Sequence, residues 1–307
     1  MKTILVTGAC GQLGNEMQLQ AAQDRQYCWF FTDVAIASPS LLAADGGSPV
    51  LASPITTLDI TDRAAVEAFI EDHAIDIIVN CAAYTAVDRA EADVEKAYLL
   101  NAIAPGYLAT AINRRGGQLI QISTDYVFDG TAHTPYTEEQ AACPDSAYGR
   151  TKLAGEQAVL EANPLAMIIR TAWLYSRFGN NFVKTMLRLG REKSELGVIF
   201  DQIGTPTCAR DLAVAIMAAI NQGIVPGIYH FTDEGVTSWY DFAKAIHRLA
   251  GITTCQVRPL HTSEYPTPAA RPHYSVLDKT KIKQTYGIEI PHWEESLREC
   301  IEELAKI

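Results

Sequence analysis

The stretch Thr7–Gly14, TGACGQLG, decides the fold of this chain. It follows the apolar run at the N-terminus and opens a helical pattern over Gln12–Ala22. Gly8 permits a tight turn, Gly11 lets the backbone approach a pyrophosphate, and Gly14 lets the helix pack on the strand. The free N–H groups and positive dipole end of that helix favour phosphate. A strand before these glycines and a helix after them predict a dinucleotide-binding site.

Apolar runs alternate with helical patterns through the first half of the chain. Strands are predicted at Thr3–Thr7, Tyr27–Thr32, Asp76–Cys81, Gln118–Ser123 and Ala166–Arg170, and helices at Gln12–Ala22, Asp62–His73, Glu95–Arg115 and Tyr148–Glu161. The strands are continuously apolar, which is typical of a parallel sheet covered on both faces. The sequence therefore predicts an α/β protein with a Rossmann-like, doubly wound parallel sheet.

The alternation loosens after about residue 175. Helices are predicted at Phe182–Glu192, Ala209–Gln222, Ser238–Ala250 and Trp293–Ala305, and short strands at Gly227–Phe231 and Cys255–Arg258. We expect residues 1–175 to form an NAD(P)-binding Rossmann domain to which later segments return. Residues 176–307 are expected to form mainly a smaller, interleaved substrate-binding region. The Pro-, Gly-, Ser- and Ala-rich stretch Ser38–Pro54 is predicted to be a surface insertion between the second and third strands.

The composition argues against nucleic-acid-binding, membrane and disulfide-rich classes of protein. The chain has 307 residues, of which 48% are hydrophobic, and a formal net charge of −11 from 36 acidic and 25 basic residues. This balance lacks the basic footprint of a nucleic-acid-binding protein. No apolar run is long enough for a membrane span or a signal peptide. The seven cysteines are scattered without a CxxC pair, so we expect a reducing, cytoplasmic location and neither a disulfide framework nor a zinc site.

Two acidic residues are candidates for the adenosine end of the cofactor. Asp33 ends the second apolar run, 19 residues after Gly14, where a carboxylate can accept both ribose hydroxyls. It would repel a 2′-phosphate, and no Arg or Lys follows before Pro54, so these residues favour NADH. A solvated loop aspartate is the alternative interpretation. Asp59, after the third strand, is either a ligand contact or an N-terminal helix residue.

The pair Tyr148 and Lys152 forms a YxxxK motif, which places both side chains on one helix face. We expect the ammonium group to lower the pKa of the phenol and so to fit it for proton transfer to a carbonyl oxygen. The preceding segment Pro144–Ser146 supplies a helix N-cap. A second YxxxK pair, Tyr240 and Lys244, lies in an amphipathic pattern and is predicted to be a packing helix.

The segment Ser123–Phe128, STDYVF, distinguishes Tyr148 from that second copy. Thr124 follows a buried strand and lies 24 residues before Tyr148. Ligands of open α/β sheets bind beyond the carboxyl ends of the strands. Thr124 is therefore a candidate to hydrogen-bond a substrate carbonyl, with a helix or turn cap as the alternative.

Four segments together resemble the dTDP-4-dehydrorhamnose reductase family of extended short-chain dehydrogenases. They are Val6–Gly14 (VTGACGQLG), Asn80–Asp88 (NCAAYTAVD), Ser123–Gly130 (STDYVFDG) and Tyr148–Glu156 (YGRTKLAGE). Arg170–Tyr175, Asn180–Phe182, Asp201–Thr207 and Arg271–Pro272 extend the resemblance over nearly the whole chain. No single segment is specific, but the combination is.

The resemblance implies hydride transfer from NADPH or NADH to C4 of dTDP-4-dehydro-L-rhamnose, a dTDP-linked 4-keto-6-deoxy sugar. By the same resemblance Tyr148 donates the proton, Lys152 tunes it and binds the nicotinamide ribose, and Thr124 adjusts the active site. The implied contacts are Gln12, Leu13 and Gly14 with the pyrophosphate, Asp59 and Ile60 with the adenine, Ala83, Tyr84 and Thr85 beside the nicotinamide, and Thr124, Asp125 and Trp173 with the substrate. From the residues alone, Trp173 is equally a core residue.

Several alternatives stay open at this point. Some family members are dimers that hold Mg²⁺ through interface glutamates, so the resemblance leaves open whether this protein forms a homodimer and binds magnesium. The candidate ligands are Glu294, Glu295, Glu299, Glu302 and Glu303. Their helical spacing fits a solvated acidic helix face equally well. Another nucleotide-sugar reductase or epimerase is a close alternative. A non-catalytic NADP-binding regulatory subunit of methionine adenosyltransferase is a second, and a generic dinucleotide-binding protein is a third.

Overall fold

The computed structural model describes residues 1–34 and 54–306. The strands are β1 (Thr3–Thr7), β2 (Cys28–Asp33), β3 (Ile55–Thr57), β4 (Ile77–Asn80), β5 (Gln118–Thr124), β6 (Met167–Thr171), β7 (Leu174–Tyr175), β8 (Glu195–Ile199), β9 (Ile203–Gly204), β10 (Thr207–Cys208), β11 (Gly227–His230), β12 (Thr237–Ser238) and β13 (Gln256–Leu260). The helices are α1 (Gln12–Gln23), α2 (Arg63–Asp72), α3 (Val87–Ala90), α4 (Val94–Tyr98), α5 (Ala104–Arg114), α6 (Ala147–Ala162), α7 (Phe182–Glu192), α8 (Ala209–Gln222), α9 (Trp239–Leu249), α10 (Thr280–Tyr286) and α11 (Trp293–Leu304). The predicted insertion Ser38–Pro54 lies outside the described residues, apart from Pro54.

A seven-stranded parallel sheet forms the centre of the protein, in the order β11-β6-β5-β4-β1-β2-β3. Strands β1, β2 and β3 follow one another toward one edge of the sheet, and β4, β5, β6 and β11 follow one another toward the other edge. The strand order therefore reverses between β1 and β4. The crevice beyond the carboxyl ends of strands at such a reversal is where open α/β sheets bind ligands. The predicted doubly wound parallel sheet is confirmed.

Two apolar cores cover the two faces of the sheet, and a third stands apart from it. Helices α1, α8 and α10 bury one face, with Met17, Leu212 and Ile282 in that core. Helices α2, α5 and α6 bury the other. The third core joins α7, α9 and α11 with β8 and β13. Since β11 pairs with β6, a segment beyond residue 175 returns to the sheet.

The predicted single helix Glu95–Arg115 contains an irregularity. Between α4 and α5 the chain forms a π-helical turn over Leu99–Ile103. Pro105, in the first turn of α5, has no N–H to donate to the carbonyl of Asn101. The predicted long helical segment is therefore present, but with a π-helical turn inside it. The wider turn directs the Asn101 carbonyl against α6, where it would collide with a Cβ at Gly155.

Gly155→Ala should destabilise the fold because the new methyl group would overlap the Asn101 carbonyl oxygen. Such overpacking costs about 1–3 kcal/mol. The control is Gly106→Ala on α5, where a Cβ would lie 3.6 Å from the Ala158 Cβ in ordinary contact. Replacing a helical glycine by alanine there should stabilise the protein by about 0.5–1 kcal/mol. Urea unfolding of both variants measures the difference, and equal stabilities would show that α6 does not press on the π-helical turn.

Candidate active site

The glycine-rich loop leaves β1 and enters α1 at the reversal point of the sheet. Gly8 has a φ of +65°, and a Cβ there would lie 2.6 Å from the backbone nitrogen of Ala82. A Cβ at Gly14 would collide with the carbonyl oxygen of Gly8. Gly11 is the N-cap residue of α1, without a capping side chain, so the first N–H groups of the helix are left for another acceptor. A loop in which backbone fills the space of side chains suits a pyrophosphate.

The next two residues of the loop face in different directions. The Gln12 side chain reaches the segment after β6, where its Nε2 donates to the carbonyl of Leu174 at 3.4 Å and its Oε1 accepts from the Asn181 side chain at 2.9 Å. Leu13 is buried in the core beneath α1. Only the backbone of Leu13 is therefore in a position to contact a pyrophosphate.

Asp33 lies at the carboxyl end of β2, beside the glycine-rich loop. Its Oδ2 accepts from the Cys10 N–H at 2.9 Å, and its Oδ1 accepts from the Val34 N–H at 2.8 Å. These bonds hold the carboxylate against the loop. Each oxygen keeps a lone pair for a further donor, so the geometry suits acceptance of ribose hydroxyl groups.

Asp59 and Ile60 follow β3 at the same edge of the sheet. The Asp59 Oδ1 accepts from the backbone N–H and the hydroxyl of Thr61, at 2.9 and 2.7 Å, while Asp62 provides the N-cap of α2. Asp59 is exposed and belongs to a turn before the helix. The Ile60 side chain is buried in the core, so its backbone alone faces outward.

The loop after β4 carries Ala83, Tyr84 and Thr85. Thr85 is exposed and Ala83 is half-buried, but the Tyr84 ring packs into a small cluster with Ala90 and Ala147. The Tyr84 hydroxyl donates to Asp93 at 3.2 Å. The loop backbone, together with the side chains of Ala83 and Thr85, is what the structure leaves facing the crevice.

Asn101 holds this loop, and the sequence analysis missed it. It is buried in the π-helical turn, where its Oδ1 accepts from the Tyr84 N–H at 2.8 Å and its Nδ2 donates to the Tyr84 carbonyl at 3.1 Å. Nδ2 also lies 3.1 Å from the Thr151 hydroxyl on α6. Asn101 thereby fastens the loop after β4 to α6. Pro105, four residues on, was the available signal, because a proline inside a helical pattern often marks a π-bulge or kink.

Thr124 and Asp125 lie where β5 ends. The Thr124 hydroxyl is 3.0 Å from the Asp125 Oδ1 and accepts from the Tyr126 N–H at 3.2 Å. Burial raises the pKa of Asp125 to about 6, against hydrogen bonds from Ser275 and Thr124 that favour the charged form. Thr124 therefore lies at the end of a strand, as predicted, and it also caps the short helical turn that follows.

Tyr148 is the second residue of α6, whose N-cap Ser146 accepts from the Gly149 N–H at 3.1 Å, as predicted. The phenol is half-buried and packs edge-on against Tyr126, with 5.6 Å between ring centroids. Its side chain hydrogen-bonds with Thr124. Thr124 and Tyr148 are thus brought together beyond the end of β5.

The expected lowering of the Tyr148 pKa is wrong for this structure. Burial raises the pKa to about 12, the hydrogen bond with Thr124 opposes the rise, and the Asp125 carboxylate adds to it. The Lys152 Nζ instead donates to the Ile122 carbonyl at 2.6 Å. Tyr148 is consequently a neutral phenol at physiological pH, which is the form that can donate a proton.

Lys152 lies one turn beyond Tyr148 on the same face of α6 and is buried. Burial lowers its pKa to about 8, and the carboxylate of Glu156 opposes this shift. The ammonium form still predominates at neutral pH. An ammonium group has three donors, so two remain after the bond to Ile122.

Trp173 lies between β6 and β7 with a φ of +48°, a left-handed conformation that is strained for a tryptophan. Its indole stacks on Trp239 with 3.6 Å between ring centroids and an interplanar angle of 11°. A Cβ at Gly204 would lie 2.7 Å from the indole ring. The ring is half-buried, and the predicted contact with substrate stays a prediction.

The second YxxxK pair lies on α9, remote in sequence from this constellation. Phe242, Ala243 and Ile246 of that helix are buried in the third core, and Lys244 is exposed. The prediction of a packing helix is confirmed.

The glutamates of α11 do not gather around a common point. Three of them form ion pairs with arginines: Arg210–Glu299, Arg248–Glu294 and Arg177–Glu303. In residues 1–34 and 54–306 no group of three or more His, Cys, Asp or Glu side chains could hold a metal ion. Within the same residues, no helix has the length and apolar character needed to cross a membrane.

Comparisons with known proteins agree with this geometry. The family model described as the RmlD substrate binding domain matches residues 1–306. A crystal structure of a dTDP-4-dehydrorhamnose reductase from Clostridium acetobutylicum superposes with a TM-score of 0.88 and 45% identity, covering 99% of each chain. That of a dTDP-4-dehydrorhamnose reductase from Bacillus anthracis in complex with NADP has a TM-score of 0.84 and 37% identity, covering 99% of this chain and 100% of the other.

A further relative has a different substrate in its name. It is a probable dTDP-4,6-dihydroxy-2-methyloxan-3-one 4-ketoreductase from Streptomyces antibioticus, 42% identical over 98% of this chain and 95% of its own length. With the family model spanning almost every residue, the chain belongs to the dTDP-4-dehydrorhamnose reductase family of short-chain dehydrogenases.

Proposed function

We propose that this protein is a dTDP-4-dehydrorhamnose reductase, which reduces the C4 ketone of dTDP-4-dehydro-L-rhamnose to dTDP-L-rhamnose with a nicotinamide cofactor. The observation that carries the proposal is a neutral phenol, Tyr148, in contact with Thr124 and one helical turn from the buried ammonium of Lys152. This group lies at the end of the sheet where the glycine-rich loop also opens. The family membership supports the choice of substrate.

A bound NADH or NADPH would supply the hydride that C4 receives. In the proposed mechanism Tyr148 donates its proton to the ketone oxygen, which becomes the hydroxyl of the product. Lys152 stabilises the resulting phenolate electrostatically, and Thr124 orients the ketone oxygen. The high pKa of Tyr148 keeps the proton in place until negative charge develops on the substrate oxygen.

The proposed contacts divide along the sheet. Cofactor contacts are Gly8, Gly11, Gln12, Leu13, Gly14, Asp33, Asp59, Ile60, Ala83, Tyr84, Thr85, Tyr148 and Lys152; substrate contacts are Thr124, Asp125 and Trp173. Residues 1–175 are proposed as the cofactor-binding domain and residues 176–307 as mainly the substrate-binding region. We place the reaction in the cytoplasm, on the grounds of the scattered cysteines.

Reduction of another dTDP-linked 4-keto sugar is the second candidate. The Streptomyces relative, named as a 4-ketoreductase of a different dTDP-sugar, favours it. The two functions share the proton donor and the reacting C4 carbonyl, and they differ in the sugar ring that the substrate-binding region accepts. Parallel assays with both keto sugars separate them.

Tyr148→Phe should lower turnover by about 10²–10⁴-fold, because the general acid is lost, while cofactor affinity is retained. Cofactor oxidation, followed by nicotinamide absorbance with and without the keto sugar, measures turnover; fluorescence measures cofactor binding. Tyr240→Phe is the matched control, since it makes the same change in the other YxxxK pair and should leave turnover unchanged.

Unchanged turnover in Tyr148→Phe would contradict the role of that phenol. Tight cofactor binding by the wild-type protein without oxidation by any dTDP- or GDP-linked keto sugar would instead support a regulatory, non-catalytic subunit.

We further propose that the enzyme prefers NADH to NADPH. The Asp33 carboxylate is held at the end of β2 by the Cys10 and Val34 N–H groups, where the adenosine ribose of a bound cofactor would lie. A 2′-phosphate there would meet a like charge. The sequence from Val34 to Pro54 contains no Arg or Lys that could compensate.

Asp33→Ser should reduce the ratio of kcat/KM for NADH to that for NADPH by about fivefold or more. Two unit charges about 4 Å apart repel by roughly 1–4 kcal/mol between aqueous and partly buried surroundings. The serine still hydrogen-bonds a ribose hydroxyl but carries no charge. Steady-state kinetics with both cofactors measure the ratio, and Asp24→Ser, at the end of α1, is the control. A wild-type preference for NADPH would refute this assignment.

A further inference from the structure

A buried carboxylate lies behind the proposed catalytic lysine. Glu156 follows Lys152 by four residues on α6, so Tyr148, Lys152 and Glu156 lie along one face of the helix. Glu156 is only 2% exposed. An ionised carboxylate at this depth needs partners that compensate for its lost hydration.

Glu156 has such partners on two neighbouring strands. Its Oε1 accepts from the Ser123 hydroxyl on β5 at 2.5 Å and from the Arg170 Nε on β6 at 2.9 Å, and its Oε2 accepts from the Arg170 Nη2 at 2.7 Å. Ser123 and Arg170 are paired residues of the two strands. The carboxylate therefore ties α6 to β5 and β6 at one point.

That point is adjacent to the catalytic groups. Ser123 lies between Ile122, whose carbonyl accepts from the Lys152 Nζ, and Thr124, which hydrogen-bonds with Tyr148. The side chains of Lys152 and Glu156 thus bind consecutive residues of one strand end. A shift of the helix along the strand would break both contacts.

Glu156 also affects the charge of Lys152, in addition to joining α6 to the sheet. The buried ion pair of Glu156 with Arg170 is close to neutral, so Lys152 is next to a balanced pair. Without the carboxylate, Lys152 would lose the opposite charge that acts on it, and the buried Arg170 would lose its ion-pair partner. Glu156 is the charged group that acts on Lys152, and Arg170, its partner in the ion pair, also acts on the buried His230 of β11. Asp125 acts on Tyr148, at the start of the same helix face.

We propose that Glu156 is a positioning residue that keeps Lys152 protonated and holds it in register with Tyr148 and Thr124. The proposal rests on the proposed function for the roles of these three residues. The new element is Glu156 itself, whose ion pair with Arg170 links the charge of Lys152 to strand β6.

Opposite single substitutions test this proposal. Glu156→Gln should move the titration midpoint of Lys152 down by about one to three pH units, because an adjacent opposite charge is removed. Arg170→Met should move it up, because the carboxylate is then left to Lys152 alone. The double variant Glu156→Gln/Arg170→Met removes both charges and should return the midpoint toward the wild-type value. Glu161→Gln, an exposed position on the same helix, is the matched control.

The midpoint is read by NMR of protein labelled with ¹³C at lysine Cε, with Lys152 assigned from the spectrum of Lys152→Arg. Titration from pH 5 upward covers the expected midpoints and keeps His230 neutral, since burial lowers its pKa to about 3. Asp125, whose pKa burial raises to about 6, is present in every variant, so its titration is common to all of them. If either single variant fails to fold because one buried charge is unpaired, the other still moves the midpoint. The double variant leaves neither charge unpaired.

Activity supplies the second measurement. The pH above which kcat/KM falls should move with the NMR midpoint: down in Glu156→Gln and up in Arg170→Met. If Glu156 had a merely structural role, its replacement would lower kcat/KM at every pH and leave unchanged the pH above which kcat/KM falls. That result would overturn the proposal. An unmoved NMR midpoint in both folded single variants would overturn it as well. The NMR titration needs no turnover, so failure of the proposed reaction with every keto sugar would be recognised separately.

Discussion

The close approach of helix α6 to two main-chain carbonyls is the constraint on which the site depends. A Cβ at Gly149 would collide with the carbonyl of Tyr126, and a Cβ at Gly155 would collide with that of Asn101. These two glycines flank Lys152 on the helix. Because backbone packs directly on backbone, α6 has one axial position relative to the end of β5 and to the π-helical turn. That contact fixes the spacing of Tyr148 and Lys152, the proposed catalytic side chains.

The electrostatics of the site follow from the same packing. Close contact excludes water from Lys152, Glu156 and Arg170, each of which is at most 4% exposed. Burial has opposite effects on the two proposed catalytic groups: it raises the pKa of Tyr148 and lowers that of Lys152. The phenol therefore holds its proton firmly, while the carboxylate of Glu156 opposes the fall in the pKa of the lysine. A reductase needs this combination, since its acid must wait for an alkoxide and its cation must be present when the phenolate forms.

Much of this arrangement could be predicted from the sequence. Continuous apolar strands, the glycine spacing and Ser146 before Tyr148 are local signals, and the sheet, the loop and the capped helix follow them. The failures concern long-range packing. Spacing alone placed Lys152 beside Tyr148, but it could not show that the ammonium donates to the Ile122 carbonyl on another element.

Residues without a motif were harder still to predict. Asn101 and Arg170 act through partners 17 and 14 residues away, and only the folded chain brings these together. For Leu13 and Ile60 the sequence indicated nearness to a cofactor, yet burial leaves only their backbones available. A motif predicts which segment reaches the site; the packing around each side chain decides which atoms face it.

The substrate side shows how the second region differs from the sheet. Trp173 adopts a left-handed backbone conformation that a tryptophan rarely occupies, at a cost of about 1–3 kcal/mol. Its stacking on Trp239, from α9, and the absence of a side chain at Gly204 hold the indole in that conformation. The strain therefore has to be supported by elements beyond residue 200. If Trp173 contacts the sugar, substrate choice depends on how α9 packs, whereas the proton transfer depends on α6 and the sheet; the two properties can then vary independently within one family.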